Sequence, residues 1–95
     1  MKISQLKFTG HATRQMFERG IFAHEVREVL DTGTVINRYP EDKPYPSCLI
    51  MGTAKNRALH VVLGYDAATE IGYIVTAYEP DPARWEPGFQ RRKKS

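Results

Sequence analysis

The stretch SCLIMGTAKNRALHVVLGYDAATEIGYIVTAYE, Ser47 to Glu79, holds three apolar runs, SCLIMGT, ALHVVLGY and IGYIVTAYE, separated by AKNR and DAATE. Runs of this length, rich in Val, Ile, Leu and Tyr and bounded by polar segments, read as strands joined by short hairpins. The reading is an antiparallel meander. Side chains alternate along a strand, so Leu59, Val61 and Leu63 point one way and His60, Val62 and Gly64 the other. If the loop Asp66 to Glu70 closes symmetrically, His60 pairs with Thr76 and Tyr78 lies diagonal to it on the same face. A one-residue slip would send Tyr78 to the opposite face. The partition favours the first register, since Leu59, Val61, Leu63, Val75 and Ala77 then form an apolar floor for helices.

Upstream, Ile3, Leu6 and Phe8 suggest a short first strand, and Thr9 is placed to cap a helix through HATRQMFER. Gly20 ends that helix, with Ile21 set to contact Met16 in a Schellman ending. A second helix carries Phe22, Val26, Val29 and Leu30 as a core-facing stripe and stops at Gly33, which is expected to act as Gly20 does. Phe22 occupies its N-cap position, leaving Glu25 as half of a capping box. TVINRY, Thr34 to Tyr39, begins the sheet; Pro40, Pro44 and Pro46 then forbid a central strand in PEDKPYP. After Glu79, Asp81 and Pro82 open one helical turn that docks through Trp85. The order predicts an α+β fold: a short N-terminal strand, two helices, a mainly antiparallel four-stranded sheet and a short C-terminal helical turn.

At 95 residues, 41% hydrophobic and 26% charged, the chain reads as one small globular domain. Residues 1–90 are expected to form it, with 91–95 a basic, disordered tail. No apolar run approaches the roughly 20 residues needed to span a bilayer. One cysteine, Cys48, excludes an internal disulfide and fits a reducing compartment, so a cytoplasmic protein without membrane partners is expected. The net charge is +3, but Arg84 to Ser95 holds five of the 14 Lys and Arg and one of the 11 acids. The remainder has nine bases against ten acids, a net of −1. The basic character therefore belongs to Arg91, Arg92, Lys93 and Lys94, which can attract RNA or simply be solvated.

No Gly-rich phosphate cradle, nucleophile elbow or CxxC pair is present. HEVRE lacks the second histidine of a zinc helix, and neither a metal nor a cofactor is expected. What remains is His11, Arg14, His60 and Tyr78, with Arg19 or Glu79 nearby. Metal-free RNA cleavage needs a base for the 2′-hydroxyl, an acid for the 5′-oxygen and a cation against the phosphorane, and this set can supply all three. His11 sits in the first helical turn, where the positive end of the dipole favours a neutral ring; it can equally bond a neighbouring loop. Arg14 shares its helix face, and its bland reading is a surface charge paired with Glu18. His60 must find a hydrogen bond or line an open face; a satisfied core histidine is the competing reading. Tyr78 is a proton donor, a stacking platform or an ordinary strand residue. Cys48 is read as packing.

The segments HATRQMFERGI, EVREVLDTG, YPEDKPYPSCLIMG, ALHVVLGYD and TAYEPDPARWEPGF together resemble a small bacterial domain-of-unknown-function family. Its members are often encoded beside YgiT-type zinc-finger antitoxins, and it is similar in architecture to the RelE, BrnT and MqsR-like toxin superfamily. The resemblance implies a RelE-like fold, metal-independent cleavage of mRNA, free or on the ribosome, and neutralisation by a cognate antitoxin of zinc-finger type. It points to His11, Arg14, Arg19 with Gly20, His60, and Tyr78 with Pro80. On this reading His60 or His11 is the base, Tyr78 or the other histidine the acid, and Arg14 the cation. Competing readings are a non-catalytic binding module on the same face and a small-molecule enzyme with a pocket between the first helix and the sheet.

Overall fold

The computed structural model describes residues 1–94. Its elements run β1 (Gln5–Phe8), α1 (Gly10–Arg19), α2 (Ala23–Thr32), β2 (Thr34–Tyr39), β3 (Ser47–Ala54), β4 (Arg57–Asp66) and β5 (Ile71–Tyr78). The strands form one sheet in the order β1-β5-β4-β3-β2. The fold is α+β, but the sheet has five strands, not four. Ile3, Leu6 and Phe8 are drawn onto the core, and β1 adds to the edge of β5, Gln5 opposite Ile71, as the single parallel pair.

Both helices lie on one face. Ala12 and Met16 of α1 and Val26 and Val29 of α2 pack with Cys48 and Ile50, Leu59, Val61 and Leu63, and Ile74 and Ala77. Leu63 and Ile74 are fully buried, each stabilising by about 1.5–3 kcal/mol. Cys48 belongs to this core, and burial pushes its thiol pKa up, as packing rather than reactivity requires. Gly20 has φ 65, and Ile21 N–H reaches Met16 O at 2.9 Å, completing the expected Schellman ending.

Gly33 works differently from Gly20. Its backbone is extended, and it is needed for space: a Cβ there would stand 2.4 Å from Val29 O and 2.7 Å from Met51 O. Phe22 has no side-chain acceptor, so only the carboxylate half of a capping box exists, Phe22 N–H donating to Glu25 Oε1 at 2.9 Å. Lys55 (φ 51) and Asn56 (φ 62) form a two-residue left-handed hairpin turn between β3 and β4.

The β4–β5 register departs from the expected one. Next to the loop, Asp66 faces Ile71 and Leu63 faces Ile74; Val75 then bulges out, and beyond it Val62 faces Thr76 and His60 faces Tyr78. The four-residue loop shifts parity by one, and the bulge shifts it back. Ala77 is thus returned to the core and Tyr78 to the face of His60, directly opposite rather than diagonal.

Backbone pairing continues past residue 90. Glu86 N–H bonds Arg91 O at 2.7 Å and Lys93 N–H bonds Arg84 O at 2.8 Å, so the chain expected to fray from Arg91 folds into a small hairpin closed by a Trp85–Arg92 bridge. The expected helical turn is a turn around Asp81, whose carbonyl accepts from Arg84 and Trp85. Ser95, in the expected tail, lies outside the described residues. No helix among the described residues is long and apolar enough to cross a membrane.

Candidate functional site

His60 is fully buried beneath the C-terminal hairpin. Its Nε2 lies 2.8 Å from Phe89 O and its Nδ1 3.3 Å from the Tyr78 hydroxyl, while the Trp85 ring meets it edge-on at 4.5 Å. A carbonyl can only accept, so Nε2 carries the proton and Nδ1 accepts from Tyr78 Oη–H. Burial lowers the pKa of the ring, with the Phe89 carbonyl pulling the other way. The ring is a neutral acceptor behind a hydroxyl, not an open-face base. Phe89 holds a left-handed φ of 57 to aim that carbonyl, a conformation costing an L-residue on the order of 1 kcal/mol.

Tyr78 is only half-buried. Burial and the nearby Tyr39 raise its pKa, while the charges of Arg92 and Arg19 pull it down less strongly; it is therefore protonated at neutral pH. Arg19 is placed by the end of β1. Past Phe8 the edge of β5 is uncovered, and α1 runs along it, so Arg19 Nη1 donates to Ala77 O at 2.9 Å and reaches Thr76 Oγ1 at 3.4 Å. Among the described residues its Nη2 and Nε have no protein partner. Thr76, expected beside His60, is instead bonded to Gln15 and Arg19 of α1.

The structure thus joins His60 to Tyr78 and sets Arg19 and Arg92 around them. His11 and Arg14 are exposed on α1 and touch neither, and among the described residues Arg14 makes no ion pair with Glu18. Arg91, Lys93 and Lys94 line the outer side of the C-terminal hairpin with Arg92, whose guanidinium lies over Trp85. Among the described residues no three His, Cys, Asp or Glu side chains converge as metal ligands.

Sequence reasoning missed three features. Phe89 as the second partner of His60 has no local signal beyond Gly88 before it. Arg57 binds Glu25, Glu79 and Gly20 O, an arrangement only the fold brings together. Burial alone would raise the Glu25 pKa, but the Phe22 N–H and Arg57 outweigh it and hold it low. The third feature is the row of Tyr45, Tyr73 and Gly64 on the His60 face; a glycine inside an apolar strand was its signal.

A family model described as a domain of unknown function (DUF4258) matches residues 8–79. Neither a curated protein nor a solved structure matches the chain.

Proposed function

We propose, from the premise that the chain belongs to the DUF4258 family of domains of unknown function, that it is a RelE-like toxin that cleaves mRNA without a metal and is neutralised by a cognate antitoxin of zinc-finger type. The observation that carries this is the half-buried Tyr78 hydroxyl, backed by the acceptor Nδ1 of His60 and flanked by Arg19 and Arg92.

In this reading Tyr78 and His60 act together as the base. Tyr78 Oη takes the proton of the RNA 2′-hydroxyl while its own proton passes to His60 Nδ1, and the Phe89 carbonyl steadies the imidazolium that forms. The 2′-oxygen bonds to phosphorus, the bond from phosphorus to the 5′-oxygen breaks, and solvent protonates the leaving oxygen. The free N–H groups of Arg19, with Arg92, hold the phosphorane oxygens. His60 then returns its proton through Tyr78. His11 and Arg14 lie toward the N-terminal end of α1 and serve RNA binding, so Arg19 takes the place of Arg14 as the cation. Arg91, Lys93 and Lys94 add backbone attraction; neutralising them with Arg92 should flatten the salt dependence of binding by a few counterions.

Purified protein incubated with single-stranded RNA in EDTA should leave 2′,3′-cyclic phosphate ends. No cleavage either of free RNA or on translating ribosomes would refute the enzyme reading. One observation favours a second reading: both ring nitrogens of His60 are satisfied inside the protein, as in a binding module on which the same face meets RNA or a protein without chemistry. Binding of RNA with no cleavage in either assay selects it.

A further inference from the structure

The His60 face of the sheet is laid out in rungs. Met51, His60 and Tyr78 form one; Leu49, Val62 and Thr76 form the next, with the unpaired Val75 bulging beside Thr76; Ser47, Gly64 and Tyr73 form the third. Successive rungs are about 7 Å apart along a strand. Over the second and third rungs lies a cavity of about 300 Å³. Val62 and Val75 are its apolar walls, Gly64 its bare floor, and the stacked rings of Tyr45 and Tyr73 (5.2 Å between centroids, 7° between planes) its aromatic side. Asp42 stands at the rim. Its Oδ2 accepts from the Ser47 hydroxyl, and among the described residues its Oδ1 has no partner. Thr9, two residues before His11, lines the opposite rim.

We infer that this cavity is a nucleobase slot, one that takes the base of a nucleotide neighbouring the phosphate held at Tyr78 and prefers bases carrying an exocyclic amine. The inference rests on the RNA reading above and adds a specificity determinant to it. The volume suits a single planar ring system rather than a larger ligand. Aromatic and branched walls with a glycine floor offer a flat apolar berth, the kind of surface on which unpaired bases are held. A carboxylate oxygen with no donor of its own accepts from the amine of adenine, cytosine or guanine, and uracil has none to give. The spacing of about one to two rungs puts the base beside, not upon, the reacting phosphate.

Gly64 provides the test. A Cβ built there meets nothing closer than 3.9 Å, so a side chain would fill the slot without displacing the backbone. Labelled hexanucleotides of A, C and U are titrated by fluorescence anisotropy into the native protein, Gly64→Leu and Asp42→Ala. The native protein should bind A6 and C6 about tenfold more tightly than U6. Asp42→Ala should erase that difference, and Gly64→Leu, with an unchanged melting temperature, should weaken A6 and C6 about tenfold, the loss of one stacked base. Unchanged affinity in a folded Gly64→Leu, or equal native affinity for all three, overturns the slot. Should Gly64→Leu not fold, methyl NMR of the native protein with CMP replaces it: shifts centred on Val62 and Val75 support the slot, and shifts confined elsewhere overturn it. The two readings fail separately. Base-selective binding without cleavage removes the enzyme and keeps the slot; cleavage equal in native and Gly64→Leu protein keeps the enzyme and removes the slot.

Discussion

Acid should destabilise the folded protein, and His60 sets the size of the effect. The folded state buries the ring as a neutral group and lowers its pKa, so the unfolded chain binds more protons as the pH drops through the ordinary histidine value near 6.5. The sign follows: this contribution to stability is fully present above that value and is lost progressively below it. If the folded ring stays neutral throughout, moving from about pH 7.5 to about pH 5.5 changes the unfolding equilibrium about tenfold, or about 1.4 kcal/mol, which for a domain of this size is a melting temperature lower by roughly 5–10 °C. Carboxylates such as Glu25, held below its usual range, remain ionised over that window. Urea titrations followed by Trp85, the only tryptophan and a direct neighbour of His60, measure the change. His60→Gln keeps a donor for the Phe89 carbonyl but cannot titrate. An equal pH dependence in native protein and His60→Gln would refute the reasoning, as would a native protein equally stable at both ends.

Tyr78→Phe should reduce RNA cleavage by about 100-fold or more while costing no more than about 1.5 kcal/mol of stability, read by cyclic-phosphate formation and urea melting side by side. Arg57→Ala removes the partner of the buried Glu25 carboxylate and should destabilise by about 3 kcal/mol, visible as a lower urea midpoint. Gly33→Ala should cost about 3 kcal/mol or more by thermal melting, because its Cβ collides with two backbone carbonyls, whereas Gly10→Ala, with open space around it, should be neutral or stabilising by up to about 1 kcal/mol.

The helices and strands could be read from the sequence because their signals are local: Thr9 and Gly20 mark the ends of α1, and the apolar runs bounded by AKNR and DAATE mark β3, β4 and β5. What could not be read depends on long-range geometry. Nothing near Gln5 announces a parallel pairing with β5, more than 60 residues away. Glycine after a helix reads alike at Gly20 and Gly33, yet one supplies a left-handed φ and the other room for neighbouring carbonyls. For the site, alternation placed His60 and Tyr78 on one face, and the structure pairs them. It could not tell that face was roofed, because the roof comes from Trp85 and Phe89, whose contact with His60 is set by a turn in the C-terminal hairpin. Arg19 earns its position through the shortness of β1, another property no single window of sequence carries.

The extra residue at Val75 behaves like a frameshift suppressor written into the sheet. The loop Ala67–Glu70 puts the returning strand one step out of phase, and Val75 restores the phase before Ala77 and Tyr78 are reached. Lengthening or shortening that loop by one residue, harmless on most protein surfaces, would here be an error in the reading of everything downstream unless a second change at Val75 cancelled it. Paired insertions and deletions at the two places, in variants that keep function, are the trace such a device would leave.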